Sequence, residues 1–122
     1  MIERDQDNAI FKVVVRILTE NNINYWVCHG TLLGIIRDNE LLPWDHDIDF
    51  AIWSDEYTKE EILKIFEKDY RFKQAIVLEE VDSLHFLTSS KRVDINFYTK
   101  DPKKAYIKWV AMPEEFLLKG YY

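Results

Sequence analysis

Three aspartates, Asp45, Asp47 and Asp49, fall at alternate positions in one short segment, and their spacing is the clearest chemical signal in the chain. Along an extended strand, the side chains of residues i and i+2 point the same way, so these carboxylates share one face. Aspartate is unfavourable in strands, and aligned like charges repel one another. A hard cation with oxygen ligands offsets that repulsion, so the segment predicts a divalent-metal site.

A further aspartate, on a later predicted strand, completes the pattern. Asp94 lies between Val93 and Ile95, so it too is expected on the polar face of a strand whose other face is buried. If the two strands are neighbours, three carboxylates can meet around one cation. Such a site binds phosphate oxygens and lowers the cost of displacement at phosphorus. The alternative is that Asp47, Asp49 and Asp94 belong to a solvated face of a sheet.

The run His29-Gly30-Thr31 predicts an anion-binding turn. A strand ends there, glycine permits close approach of a ligand, and the N–H groups of a following helix favour an anion. Thr31 adds a hydroxyl, and Arg37 at the far end of the helix offers a planar fork for phosphate. The alternatives are an ordinary turn glycine at Gly30 and a surface ion pair for Arg37, which contributes only about 0–1 kcal/mol.

The elements that position these residues can be predicted from periodicity, caps and turns. Helices are expected at Ala9 to Glu20 with Asp7 or Asn8 as N-cap, Thr31 to Arg37, Thr58 to Lys68 and Pro113 to Gly120. Strands are expected at Tyr25 to Cys28, Ile48 to Trp53, Phe72 to Leu78, Leu84 to Thr88, Val93 to Tyr98 and Ala105 to Val110. The order lacks a regular βαβ rhythm, which predicts an α+β fold with a mixed or antiparallel sheet.

Composition narrows the class of protein. A chain of 122 residues with 48% hydrophobic residues predicts one packed domain and argues against disorder. The net charge of −6 disfavours binding to duplex nucleic acid, which requires a basic surface. The single cysteine, Cys28, excludes an internal disulfide. A charged N-terminus and the lack of an apolar run of about 20 residues predict a cytoplasmic protein with no transmembrane segment.

Two longer runs resemble a known family. Gly30 to Arg37 reads Gly-Thr-Leu-Leu-Gly-Ile-Ile-Arg, and Pro43 to Asp49 reads Pro-Trp-Asp-His-Asp-Ile-Asp. With Asp94 between two apolar residues, the order of motifs resembles the nucleotidyltransferase-fold superfamily. The finer pattern is similar to the LicD/fukutin family of phosphotransferases. The resemblance implies one small nucleotidyltransferase-like domain over residues 1–122, with helices flanking the sheet, either minimal or short on its C-terminal side.

The resemblance also implies an activity. Members of this family move a phosphorylated group, such as phosphocholine or an alditol phosphate, from a CDP-linked donor to a sugar hydroxyl of a glycan or lipid-linked acceptor, assisted by Mg²⁺ or Mn²⁺. By position, Asp47, Asp49 and Asp94 would bind the metal and Asp45 would be a supporting acid. Gly30 and Thr31 would bind the donor phosphates.

Three questions stay open at the level of sequence. Either Asp94 or Asp45 is the candidate for accepting the proton of the attacking hydroxyl. A related reaction, transfer of NMP to a small molecule or protein, uses the same superfamily fold. A non-catalytic nucleotide-binding module is the remaining alternative.

Overall fold

The computed structural model describes residues 2–42, 46–101 and 104–106. The described residues form three helices, which are α1 (Ile2–Glu20), α2 (His29–Asp38) and α3 (Lys59–Glu67). They also form six strands, which are β1 (Trp26–Val27), β2 (Asp47–Trp53), β3 (Gln74–Val77), β4 (Ser83–Leu87), β5 (Arg92–Asp101) and β6 (Lys104–Tyr106). The predicted order of helices and strands is therefore confirmed throughout this part of the chain.

Five strands form one sheet in the order β1-β2-β5-β4-β3, and β6 pairs with the far end of β5. The β2–β5 pair is parallel, whereas β1–β2, β3–β4 and β4–β5 are antiparallel. The sheet is thus mixed, and the prediction of an α+β fold is confirmed. The two acid-bearing strands, β2 and β5, are direct neighbours at its centre.

Strand alternation divides the central strands into two faces. The apolar residues of β2 and β5 point into the main core, where they are almost completely buried beside α1 and α3: Ile48, Phe50, Ile52, Val93, Ile95 and Phe97. Each such side chain contributes about 1.5–3 kcal/mol when it is fully removed from water. This core holds both strands in register and leaves their acidic residues on the other face.

Helix α1 differs from its prediction at the N-terminal end. It begins at Ile2, so Asp7 and Asn8 lie inside the helix and the expected N-cap there is wrong. The polar residues before Ala9 lack the apolar periodicity that marks a helix, although several of them favour helical structure. Asp7 instead contacts the Ser90 hydroxyl and lies 3.9 Å from the Lys91 ammonium.

Helix α3 begins as its sequence predicts. The Thr58 hydroxyl accepts a hydrogen bond from the Glu61 N–H at 3.2 Å, and the Glu61 carboxylate accepts one from the Thr58 N–H at 3.1 Å. This capping box satisfies two N–H groups that have no partner within the helix. A capping residue of this kind contributes about 0.5–2 kcal/mol.

Two predicted elements fall wholly or partly outside the described residues. The helix expected from Pro113 to Gly120 lies there entirely. The strand expected from Ala105 to Val110 overlaps β6 at its first residues, and its remainder lies outside. Within the described ranges, no helix has the length and apolarity needed to cross a membrane.

Candidate metal centre

The carboxylates of Asp47, Asp49 and Asp94 meet on the polar face of the sheet. Parallel pairing of β2 with β5 places Asp49 directly opposite Asp94, and strand alternation puts Asp47 on the same face. Each residue offers one carboxylate oxygen, and these three atoms lie within 4.8 Å of one another. The neighbouring strands that the sequence analysis required are therefore present.

The chemistry of this donor set suits a hard divalent cation. Magnesium binds oxygen at about 2.0–2.1 Å, so opposite ligands of one ion are about 4.2 Å apart. The separation of at most 4.8 Å exceeds that upper limit by roughly half an ångström, which small changes in side-chain torsion angles can remove. The three aspartates thus fit the metal that the sequence implies, while their role as ligands stays a prediction.

Burial makes the cluster costly when all its members are charged. Asp49 is 6% exposed and Asp94 is 4% exposed. Burial, followed by the charges of Asp47 and Asp94, raises the pKa of Asp49 to about 8. Burial also raises the pKa of Asp94 to about 6, although Arg92 partly opposes the rise. A bound cation would favour the charged forms and offset this cost.

Arg92 is a member of the cluster that the sequence analysis did not identify. Its Nε donates to Asp94 Oδ1 at 2.7 Å, and its Nη2 donates to Asp94 Oδ2 at 2.8 Å and to Asp47 Oδ2 at 3.0 Å. The hydrogen bonds to Asp94 are the main reason that the pKa of Arg92 is raised. The signal was available, because Arg92 precedes Asp94 by two positions and so shares its face of β5.

The start of α2 is attached to the acidic strand. The Thr31 hydroxyl accepts a hydrogen bond from the Asp49 N–H at 2.7 Å, and the Cys28 N–H donates to the Asp49 carbonyl at 3.2 Å. Because the Thr31 oxygen is the acceptor, its own proton can still be donated. Gly30 lies beside it in the first turn, half-buried. The structure therefore attaches Thr31, with Gly30 one residue before it, to the backbone of Asp49, and their phosphate-binding role stays a prediction.

Two other predicted site residues have a different status. Arg37 lies at the exposed end of α2, where its Nη2 is 3.1 Å from Asp38 Oδ2. This is the surface ion pair that the sequence analysis gave as the alternative, and the predicted contact of Arg37 with phosphate remains untested. Asp45 lies outside the described residues, so its role as a supporting acid also stays a prediction.

Two further polar residues border the acids. Antiparallel pairing places His85 of β4 opposite Asp94, and its Nε2 is 2.8 Å from the Ser83 hydroxyl. Burial, and then the charge of Arg92, lowers the pKa of His85. Asn96 donates to the Phe50 carbonyl at 3.0 Å. Neither residue could be assigned from sequence, because its place depends on which strands pair.

Known proteins resemble this chain along most of its length. An uncharacterized protein of Rickettsia typhi is 31% identical over 114 residues, which cover 91% of this chain and 35% of that protein. Human ribitol 5-phosphate transferase FKRP is 27% identical over 120 residues, covering 87% of this chain and 24% of the enzyme. Mouse ribitol-5-phosphate transferase FKTN is 25% identical over 104 residues, which cover 83% of this chain and 22% of that enzyme.

The chain thus spans about a third or less of the length of these relatives. The family model described as LicD/FKTN/FKRP, nucleotidyltransferase domain, matches residues 22–118. That range contains α2, the three converging aspartates and Arg92. The match covers far more than half of the chain, and it includes every element that builds the acidic site. This chain belongs to the LicD/FKTN/FKRP nucleotidyltransferase-domain family.

Proposed function

We propose that this domain is a metal-dependent transferase that moves a phosphorylated small group from a CDP-linked donor to a sugar hydroxyl. The observation that carries the proposal is the convergence of Asp47, Asp49 and Asp94, whose ligand oxygens lie within 4.8 Å of one another. The names of FKRP and FKTN as ribitol-phosphate transferases support an alditol phosphate as the transferred group. Phosphocholine is the second group of this chemical class.

One group of residues would bind the metal ion, and another would bind the donor phosphates. Asp47, Asp49 and Asp94 would hold Mg²⁺ or Mn²⁺, which when bound neutralises charge on the donor phosphates. Gly30 and Thr31 lie in the first turn of α2, where Thr31 is hydrogen-bonded to the Asp49 backbone, and their N–H groups and the Thr31 hydroxyl would bind the donor phosphates. The diphosphate of the donor would therefore span the sheet edge between the acidic cluster and the start of α2.

The reaction is a displacement at the β-phosphorus. The acceptor oxygen forms a bond to that phosphorus, the bond to the bridging oxygen breaks, and CMP leaves with the bonding pair. The proton of the acceptor hydroxyl passes to a carboxylate, for which Asp94 and Asp45 are the candidates. The acceptor is a sugar hydroxyl of a glycan or of a lipid-linked sugar.

The direct test measures CMP release from CDP-ribitol and from CDP-choline in the presence of Mn²⁺ and a sugar acceptor. Asp47→Asn and Asp49→Asn should each abolish release, because a neutral amide binds a divalent cation more weakly than a charged carboxylate. Asp55→Asn is the matched control, since Asp55 is an exposed acid paired with Lys100 away from the site. Full activity in either site variant, with folding verified by circular dichroism, would exclude the proposed mechanism.

A second candidate is transfer of NMP from an NTP to a small molecule or protein. It is favoured by one observation, since the matching family model is described as a nucleotidyltransferase domain. Incubation with each α-labelled NTP separates the two reactions, because label retained on a product supports NMP transfer. Binding of nucleotide with Mn²⁺ but no turnover of any donor would support a non-catalytic module.

A further inference from the structure

Arg92 connects two of the three acids across neighbouring strands. Its planar fork contacts both oxygens of Asp94, and the same Nη2 reaches Asp47. Two parallel charge-assisted hydrogen bonds of this kind are among the stronger side-chain interactions in proteins. The guanidinium therefore already provides positive charge at the place where a divalent cation is proposed to bind.

A guanidinium and a metal ion oppose each other in such a site. The guanidinium and the metal ion each stabilise the charged form of the carboxylates. When one of them is already bound, the binding free energy of the other at the same carboxylates is therefore smaller. They also repel one another, and that repulsion falls only slowly with distance outside bulk water. A resident guanidinium must consequently weaken the affinity of the three aspartates for a second cation.

The two partners of this ion pair differ in their freedom to move. The Asp94 side chain is 5% exposed and belongs to a strand at the centre of the sheet, whereas the Arg92 side chain is 39% exposed. A long, half-exposed side chain can change rotamer at small cost compared with a buried strand residue. A rearrangement of the pair would thus move Arg92 and leave Asp94 in place.

Arg92 lies at the same end of the sheet as the turn that is predicted to bind the donor phosphates. Arg92 is the first residue of β5, and its N–H donates to the His46 carbonyl just before β2. Strand β1 runs antiparallel to β2, so Cys28 at the start of α2 comes to lie beside Asp49. The first turn of α2 and the start of β5 therefore lie at the same end of the sheet. A guanidinium fork at this end is suited to binding a diphosphate.

We propose that Arg92 is a built-in counter-ion that leaves Asp47 and Asp94 when a divalent cation binds and then pairs with the diphosphate of the donor. Resting on the proposed function, this makes metal and donor bind cooperatively at one site. Arg92 weakens the binding of metal alone and strengthens the binding of nucleotide to the metal-loaded protein. Loss of its charge should therefore change the two affinities in opposite directions.

The experiment measures two dissociation constants by calorimetry, for Mn²⁺ alone and for CDP at saturating Mn²⁺. For Arg92→Gln we expect Mn²⁺ to bind about tenfold more tightly and CDP about tenfold more weakly than in the wild type. Arg71→Gln is the matched control, because Arg71 pairs with Asp69 two residues away and outside the site. Its two constants should equal those of the wild type.

Arg92→Lys keeps the charge and loses the planar fork. It should leave the Mn²⁺ constant within about threefold of the wild type and weaken CDP binding, because a lysine contacts phosphate only as a point charge. If Arg92→Gln does not fold, the CDP dissociation constant of Arg92→Lys provides the test. Unchanged CDP affinity in Arg92→Lys would then overturn the proposal.

The outcomes separate this inference from the proposed function. Unchanged or weaker Mn²⁺ binding by folded Arg92→Gln would overturn the counter-ion role and leave the metal-dependent transferase standing. Opposite shifts in the two constants without turnover of any donor would support the role of Arg92 and count against the transferase. A wild-type protein that binds no Mn²⁺, with or without CDP, would overturn both.

Discussion

Thr31 and Asp49 are joined by a hydrogen bond in which the buried Thr31 hydroxyl accepts from the Asp49 backbone N–H at 2.7 Å. The bond connects the first turn of α2 to the strand that carries two of the three converging acids. A second bond runs beside it, from the Cys28 N–H to the Asp49 carbonyl. The position of the Asp49 carboxylate therefore depends on the start of α2 as well as on the sheet.

Replacement of Thr31 by valine tests this connection. Valine has nearly the shape of threonine but lacks the acceptor, so the Asp49 N–H is left buried without that partner. We expect the free energy of unfolding to fall by about 1–3 kcal/mol, measured by urea denaturation. Thr31→Ser keeps the hydroxyl and should lose only about 1 kcal/mol with its methyl group. Equal stability of Thr31→Val and the wild type would show that the bond contributes nothing.

The acidic cluster predicts how stability depends on pH in the absence of divalent cations. The pKa of Asp49 is raised to about 8 and that of Asp94 to about 6, above the value of about 4 for an unfolded aspartate. The folded state then binds more protons than the unfolded state between pH 4 and pH 8. The contribution of these two aspartates to stability therefore falls as the pH rises through this window.

Asp49→Asn removes the larger of these contributions. Because Asp49 is buried, we expect the variant to be more stable than the wild type at pH 8 by an amount on the order of 3 kcal/mol, with little difference at pH 4. Thermal melts in EDTA across this range provide the measurement. Asp55→Asn, which alters an exposed acid, should follow the wild type at every pH. A wild type whose stability rises from pH 5 to pH 8 relative to Asp49→Asn would contradict the assignment.

The sequence alone predicts which side chains share one face of a strand, but it does not predict which strands pair with one another. Alternation is a local property, so Asp47 and Asp49 could be placed together on the polar side of a strand. The meeting of Asp49 with Asp94 depends on parallel pairing of strands that are distant in the chain, and it could only be stated as a condition. Arg92 is not evident from the acidic pattern, because its partners Asp47 and Asp94 come together only when β2 and β5 pair.

Tertiary contacts also explain the other differences between prediction and structure. Helix α1 extends to Ile2 through polar residues that show no apolar stripe, and Asp7 finds its partners in the turn between β4 and β5. Likewise, the position of His85 follows from its pairing opposite Asp94. Short-range patterns carry no information on such contacts.

Gly34 provides a test of close packing between α2 and the segment that follows it. Alanine is usually preferred to glycine inside a helix by about 1 kcal/mol. Here a Cβ at Gly34 would lie 2.5 Å from the Glu40 carbonyl oxygen and 3.0 Å from Leu42 Cγ. Because the oxygen belongs to the backbone, the segment must move to accommodate the methyl group.

We therefore expect Gly34→Ala to destabilise the fold by about 1–3 kcal/mol in spite of the gain in helix propensity. Leu33→Ala in the same helix serves as control, since Leu33 is 51% exposed and should change stability by less than about 0.5 kcal/mol. Urea denaturation of both variants gives the comparison. An increase in stability for Gly34→Ala would mean that the segment around Glu40 yields without cost.

Cys28 lies beside the site and is predicted to be unreactive while the protein is folded. Burial, and then the charge of Asp49, raises the pKa of its thiol to about 12. Because the thiolate is the reacting form, at pH 8 its population is about a thousandfold lower than in an unfolded chain, where the pKa is about 8.5. The rate of reaction with a chromogenic disulfide should fall by a factor on the order of a thousand relative to protein in urea. Asp49→Asn, which removes the neighbouring charge, should react faster than the wild type under native conditions. Rapid labelling of the folded wild type would mean that the strand end carrying Cys28 opens readily, and the attachment of α2 would then add little to the positioning of Asp49.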